Sequence, residues 1–336
     1  MEKRIKGDGP SKQLTFKELI NLKEWQKIQD NFSAITQIGI RTLDGAGLSV
    51  TSPSGQPRLC TEVIRDFALK KRLCDWCLPT FLGGNAVVDK NLGFSCPLGL
   101  KVFVAPLINE VEHVIAYVVL GPVFVGAHKV KPEYNEFAKH YNLDVEELFS
   151  ALSEIRLISF NGIQSLLELM QDVGNYIIKS SYQHLTMEKP MVVIDREKLN
   201  QLLKVFLDVA FQVSGADVGS VMLMNKSTQE LSILTSRGIP QDIASATRVK
   251  VGEGICGTAA KERTSFLIDD NIKDNRIKRY LNRPSLKSSM VLPIKLHENV
   301  LGVVNLGALQ KSPVQFNDAD LAMINRLIDL VVTALH

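Results

Sequence analysis

Apolar and polar positions along this chain follow two periods, one near 3.6 residues and one of two, and they change over at turn residues. Between residues 14 and 36, Phe16, Leu19, Ile20, Trp25, Ile28, Phe32 and Ile35 recur at helical spacing, and Thr15-x-x-Glu18 forms a capping box, so one helix is predicted there. Asp44-Gly45 lies between two short apolar runs in residues 38–50, the pattern of a hairpin. Residues 59–74 read as a helix with Val63, Ile64, Phe67 and Ala68 on one side, and Gly83-Gly84-Asn85 breaks the pattern. Strands are expected at 93–96, 100–107 and 114–120, the last two joined by the polar tip Asn109–His113. Helices at 133–149 and 155–180 complete a first unit.

The second unit begins with a predicted helix at 195–214. Strands follow at 218–224 and 230–236, then the Gly-rich run Val251-Gly252-Glu253-Gly254-Ile255-Cys256-Gly257. Further strands at 289–295 and 300–306 share a turn containing His297, and an amphipathic helix covers 317–335. The chain therefore divides into a disordered tail (1–13), a first domain (14–180), a linker (181–194) and a second domain (195–336). Each domain is expected to be α+β, an antiparallel sheet flanked by helices, with a helical linker between them.

The 336 residues are enough for two domains. Lys and Arg number 39 against 36 Asp and Glu, a net of +3, too slight a surplus to call for nucleic acid. The best uncharged run, 114–127, is interrupted by Gly121-Pro122 and is shorter than the ~20 residues a spanning helix needs. The charged N-terminus has no apolar core of a signal peptide, so a cytoplasmic protein is expected.

In a reducing cytosol the cysteines need a use other than disulfides. Cys60, Cys74, Cys77 and Cys96 cluster, and four thiolates suit a tetrahedral zinc or an iron–sulfur cluster, with Trp76, Phe81 and Phe94 as apolar shielding. Two other uses stand beside this one: small buried apolar side chains, or a thiol redox switch at Cys74-x-x-Cys77. Gly252, Gly254 and Gly257 have dinucleotide-fingerprint spacing, but no βαβ unit surrounds them, and a tight turn packed on the sheet is the favoured reading. Cys256 is alone in its half, and His297 sits in a polar turn. No catalytic residues are predicted, and the chain reads as a non-enzyme. The apolar stripes of 163–177, 199–210 and 321–331 either cover their own sheets or build a homodimer.

The second unit resembles a GAF domain. The motifs are Gly252-x-Gly254-Ile255-Cys256-Gly257-x-Ala259, Ser288-Ser289-Met290-Val291-Leu292-Pro293-Ile294, Val300-Leu301-Gly302-Val303-Val304-Asn305-Leu306 and Phe316-Asn317-Asp318-x-Asp320. The signature of its cyclic-nucleotide-binding members is absent. The first unit resembles a PocR-type, PAS-like sensory domain. It matches at Asp44-Gly45, Cys60, Cys74 and Phe94-Ser95-Cys96-Pro97-Leu98-Gly99-Leu100 running into Val104-Ala105-Pro106-Leu107, with Pro97-Leu98 standing where the family often has His-Ala.

These resemblances imply a sensor of a small organic ligand, a metabolite or hydrocarbon derivative. A long helix would carry the signal to the GAF unit. With a single residue beyond the last predicted helix, the chain is expected either to signal in trans to a kinase or transcription regulator or to be a fragment of a longer protein. A thiol redox enzyme and a structural dimerisation module are the alternatives.

Overall fold

In the computed structural model, residues 14–64, 92–96, 98–109, 112–126, 132–186, 196–269, 272, 274–278 and 285–334 are described. The capping box forms: Thr15 N donates to Glu18 Oε2 at 2.8 Å and opens a single turn, α1 (Phe16–Leu19). Asn21 then starts a new helix, α2 (Leu22–Thr36), its Oδ1 accepting from Lys23 N at 3.1 Å. The single helix expected over 14–36 is thus two, because the Asn side chain captures orphan amides and stops the first turn from propagating.

The first sheet comprises β1 (Ile40–Asp44), β2 (Leu92–Ser95), β3 (Lys101–Ile108), β4 (Val114–Val125) and β5 (Leu157–Ile158). Its order is β1-β4-β3-β2, all antiparallel, with β5 parallel to β4 at one end. The Asp44-Gly45 turn is present, but the returning arm makes only isolated bridges, Leu43 to Ser49 and Ile40 to Ser54, in place of a second strand. A short π-helical turn, Leu59–Val63, stands where the 59–74 helix was expected, and its remainder lies outside the described residues. The helix expected at 133–149 is two, α3 (Pro132–His140) and α4 (Val145–Ser153). Asn142 between them is left-handed (φ 52°), and Asp144 caps α4 through Glu147 N at 2.8 Å.

The long helix α5 (Phe160–Thr186) runs past its expected end at 180. The second domain starts with α6 (Arg196–Ser214). Its sheet contains β6 (Val218–Asn225), β7 (Glu230–Arg237), β8 (Arg248–Lys250), β9 (Phe266–Ile268), β10 (Leu286–Leu296) and β11 (Asn299–Leu309), in the order β8-β7-β6-β11-β10-β9. Short helices α7 (Gln241–Ala246), α8 (Gly254–Glu262) and α9 (Asn275–Lys278) fill the connections. The closing helix α10 (Asp318–Ala334) is capped by Asn317, whose Oδ1 accepts from Ala319 N at 2.8 Å.

Strand alternation decides which side chains meet the helices. In the first sheet Phe103, Ala105, Leu107, Val118 and Leu120 face α2 and α5, whereas Val102, Val104, Tyr117 and Val119 form the opposite face with Leu43. Packing does not stop at the domain boundary. Residues of α2 and α5 share one continuous core with residues of α6 and α10, so a four-helix layer lies between the two sheets. The stripes of α6 (Leu202, Leu203, Phe206, Val209) and α10 (Ile324, Leu327, Val331) are buried there. Their width is therefore accounted for within one chain, by both their own sheet and the other domain.

Candidate functional site

The expected cysteine site is placed in part. Cys60 is the second residue of the π-helical turn, its N donating to Pro57 O at 2.9 Å, and Leu59 and Val63 of the same turn enter a second apolar cluster of the first domain. Cys96 follows β2 in a tight turn: its N donates to Leu100 O, and Gly99 N donates to Cys96 O, both at 2.9 Å. Gly99 takes φ 81°, which the turn requires and a side chain would strain. Cys96 is half-buried against the same cluster as Leu59. Phe94 packs instead on the sheet face that carries Val102 and Tyr117. Cys74, Cys77, Trp76 and Phe81 lie outside the described residues. Among the described residues no three His, Cys, Asp or Glu side chains converge as a ligand set for a metal.

One polar atom beside Cys96 escaped the sequence reading. Tyr134 on α3 is 3% exposed, and its buried hydroxyl has no hydrogen-bond partner among the described residues. Burial pushes this phenol above its ordinary range, and the negative charge of Glu133 and of Cys96 adds to the effect. An orphaned buried hydroxyl costs about 1–3 kcal/mol. Its spacing on an amphipathic helix marks Tyr134 only as a core residue, so no sequence signal could have singled it out.

In the second domain the Gly-rich run is a packed turn. Gly252 (φ 89°) and Gly254 (φ 61°) lead into α8, and a Cβ on Gly257 would stand 2.2 Å from Lys250 O. Cys256 Sγ donates to Asn305 Oδ1 at 3.0 Å, and Asn305 Nδ2 donates to Ser220 Oγ at 3.2 Å, so the thiol is tied to β11 and through it to β6. His297 is exposed in the β10–β11 turn.

Between the domains, α5 and α6 run antiparallel: Gly162 lies against Gln212, and Lys179 and Gln183 share a cleft with Gln201. That cleft, about 590 Å³, is closed on a third side by Ile108, Asn109 and Glu112, between β3 and β4. Two amides zip α5 to β3 above it, Gln171 Nε2 donating to Pro106 O at 2.8 Å and Asn175 Oδ1 accepting from Ile108 N at 2.9 Å.

The described chain is two sheet-and-helix domains joined through a shared helical layer. Residues 18–182 match the family described as the sensory domain found in PocR, and residues 197–336 match the GAF domain family. The chain is a PocR sensory domain followed by a GAF domain, which gives it a sensory role in signalling.

Solved structures similar to it include the GAF domain of an Acinetobacter phosphoenolpyruvate-protein phosphotransferase (15% identity, 53% of this chain and 94% of that one, TM-score 0.36). A Staphylococcus aureus fRMsr in its reduced form matches at 18% identity over 51% and 95%, with a TM-score of 0.33. The GAF-B domain of DevS from Mycobacterium smegmatis matches at 22% over 41% and 92%, also at 0.33. No curated protein matches the chain significantly. No described helix is long and apolar enough to cross a membrane.

Proposed function

We propose that this chain is a non-enzymatic cytoplasmic sensor whose first domain holds a small organic ligand or a metal centre. The centre is a zinc or iron–sulfur cofactor bound by Cys60, Cys74, Cys77 and Cys96. Occupancy changes the packing of α5, and α6 and α10 carry the change through the GAF domain to a kinase or transcription regulator in trans. The observation that carries this reading is the continuous core: α5 packs on the sensory sheet and on the GAF helices at once, so its position is a variable that both domains read. The orphaned Tyr134 hydroxyl beside Cys96 supports an occupant there, since a ligand atom or a metal-bound thiolate would give it an acceptor. Such a switch works only if the occupant favours one packing state, and a coupling of about 1–3 kcal/mol is ordinary.

The test is anaerobic purification followed by metal analysis, a visible spectrum and hydrogen exchange before and after a chelator. Bound zinc or a visible iron–sulfur band, with altered exchange in α6 and α10 on removal, is the expected result. Metal-free protein whose melting ignores the chelator removes the cofactor. Exchange in α6 and α10 that ignores loss of a bound occupant removes the relay.

A further inference from the structure

The interdomain cleft is built differently from the rest of the α5 surface. One face of α5 presents Asp172, Asn175, Lys179 and Gln183 into it, at spacings of three, four and four residues. A helix face turned toward a neighbouring domain is ordinarily apolar, and the positions beside these, Val173 and Ile178, are fully buried. Lys179 is half-buried, yet among the described residues it has no carboxylate partner. Asn175 spends its oxygen on Ile108 N, which leaves both Nδ2 hydrogens without a partner among the described residues. Gln183 on α5 and Gln201 on α6 also have side-chain amides with no protein partner among the described residues. This end of the cleft is a cluster of hydrogen-bond donors around one ammonium group. At the other end, Asp172 and Glu112 from the hairpin tip supply carboxylates.

We propose that this cleft binds a small zwitterion, an amino acid, with its carboxylate on Lys179 and its ammonium group toward Asp172 and Glu112. The dimensions fit. Seven residues separate Asp172 from Lys179, a rise of about 10 Å along the helix. Two charge-assisted hydrogen bonds of about 2.8 Å and the few atoms between an amino and a carboxyl group span that distance once the side chains turn inward. A plain dianion is disfavoured by the two carboxylates, and a plain amine leaves Lys179 unpaired. Bound there, the ligand touches the hairpin and α5 of the sensory domain and α6 of the GAF domain at once, so it bears on the angle between the domains. The site is separate from the cysteine cluster and does not depend on a metal being held there.

The test is calorimetric and thermal-shift titration of the full chain with the twenty proteinogenic L-amino acids at millimolar concentration. Each is paired with its matching amine and its matching deaminated acid. At least one amino acid is expected to bind, and its amine and acid counterparts are not. Lys179→Met keeps the aliphatic stem and should weaken binding roughly 10- to 100-fold, the loss of one charge-assisted hydrogen bond. Lys179→Arg should retain it within a few fold. Gln201→Ala, at an exposed position, gives a second variant that leaves the fold intact and should weaken binding several-fold. If no amino acid binds, the proposal fails. Binding that is indifferent to both Lys179→Met and Gln201→Ala puts the ligand elsewhere and overturns the assignment, while the sensor reading survives.

Discussion

Gln29 is the place where the link between α2 and the rest of the sensory domain is most exposed to a single change. The side chain is fully buried and uses every hydrogen-bonding site it has. Its Oε1 accepts from Thr42 Oγ1 at 3.0 Å and Thr51 Oγ1 at 2.8 Å; its Nε2 donates to Ser52 O at 2.7 Å and Ser54 Oγ at 2.8 Å. Trp25 Nε1 joins the network by donating to Thr42 Oγ1 at 2.8 Å. Gln29→Met keeps the volume and removes all four bonds. The two acceptors keep a donor, because Gln26 Nε2 still donates to Ser52 O at 3.1 Å and to Ser54 Oγ at 3.2 Å. The Thr42 and Thr51 hydroxyls lose their acceptor in the interior, at about 1–3 kcal/mol each. The gain from burying a thioether in place of an amide returns about 1–2 kcal/mol. A net loss of about 2–4 kcal/mol is expected, read by denaturant unfolding followed through tryptophan fluorescence. Thr51 Oγ1 also accepts from Thr42 N at 3.3 Å, so adding Thr51→Val removes one stranded hydroxyl but strands that amide, and the double variant should be no more stable than the single. A single variant within about 0.5 kcal/mol of wild type would refute the claim that stranded donors set the cost.

Three further outcomes follow from the packing and charges. Phe206→Ala opens a void in the core common to both domains and should cost about 3–5 kcal/mol, with hydrogen-exchange protection falling together in β3–β4 and in β10–β11; protection lost in one domain alone would contradict a shared core. Gly257→Ala drives a methyl into the Lys250 carbonyl, a backbone atom with little freedom to move, and should lower stability by about 1–3 kcal/mol in a thermal melt. Asp274 is held below the usual carboxylate range by its hydrogen bond to Arg276, which also lies over the Phe266 ring. Because the folded-state value is the lower one, the pair's contribution is present above the ordinary Asp range and fades as pH falls through the depressed value. Arg276→Gln should raise the Asp274 titration midpoint in an NMR pH series, and an unmoved midpoint would discount the pair.

Element type was legible wherever a long periodic run met a turn residue. The α5 stripe, the β10–β11 hairpin and the Gly252–Gly257 turn all stand where spacing put them. What escaped were the interruptions. Asn21 and Asn142 sit inside runs whose apolar period continues on both sides, so only the cap and the left-handed residue in three dimensions expose the breaks. The edge strands β8 and β9 have three residues each, too few for alternation to register. Stripe width on α6 and α10 disclosed that these helices meet more than one neighbour, but periodicity has no term for which neighbour, and the other half of the same chain supplies it. For the candidate site, clustering singled out Cys60, Cys74, Cys77 and Cys96, of which only Cys60 and Cys96 lie among the described residues. The Tyr134 hydroxyl and the donor-lined cleft depend on tertiary placement alone.

The helical layer also limits how this protein could have been assembled or can be re-engineered. In a beads-on-a-string receptor, an input module can be cut out and grafted onto a new output with only the tether adjusted. Here a graft would bare the oily sides of α2 and α5 on one fragment and of α6 and α10 on the other, so chimaeras joined within residues 187–195 should aggregate unless both helix pairs travel with them or their outward faces are rewritten as polar.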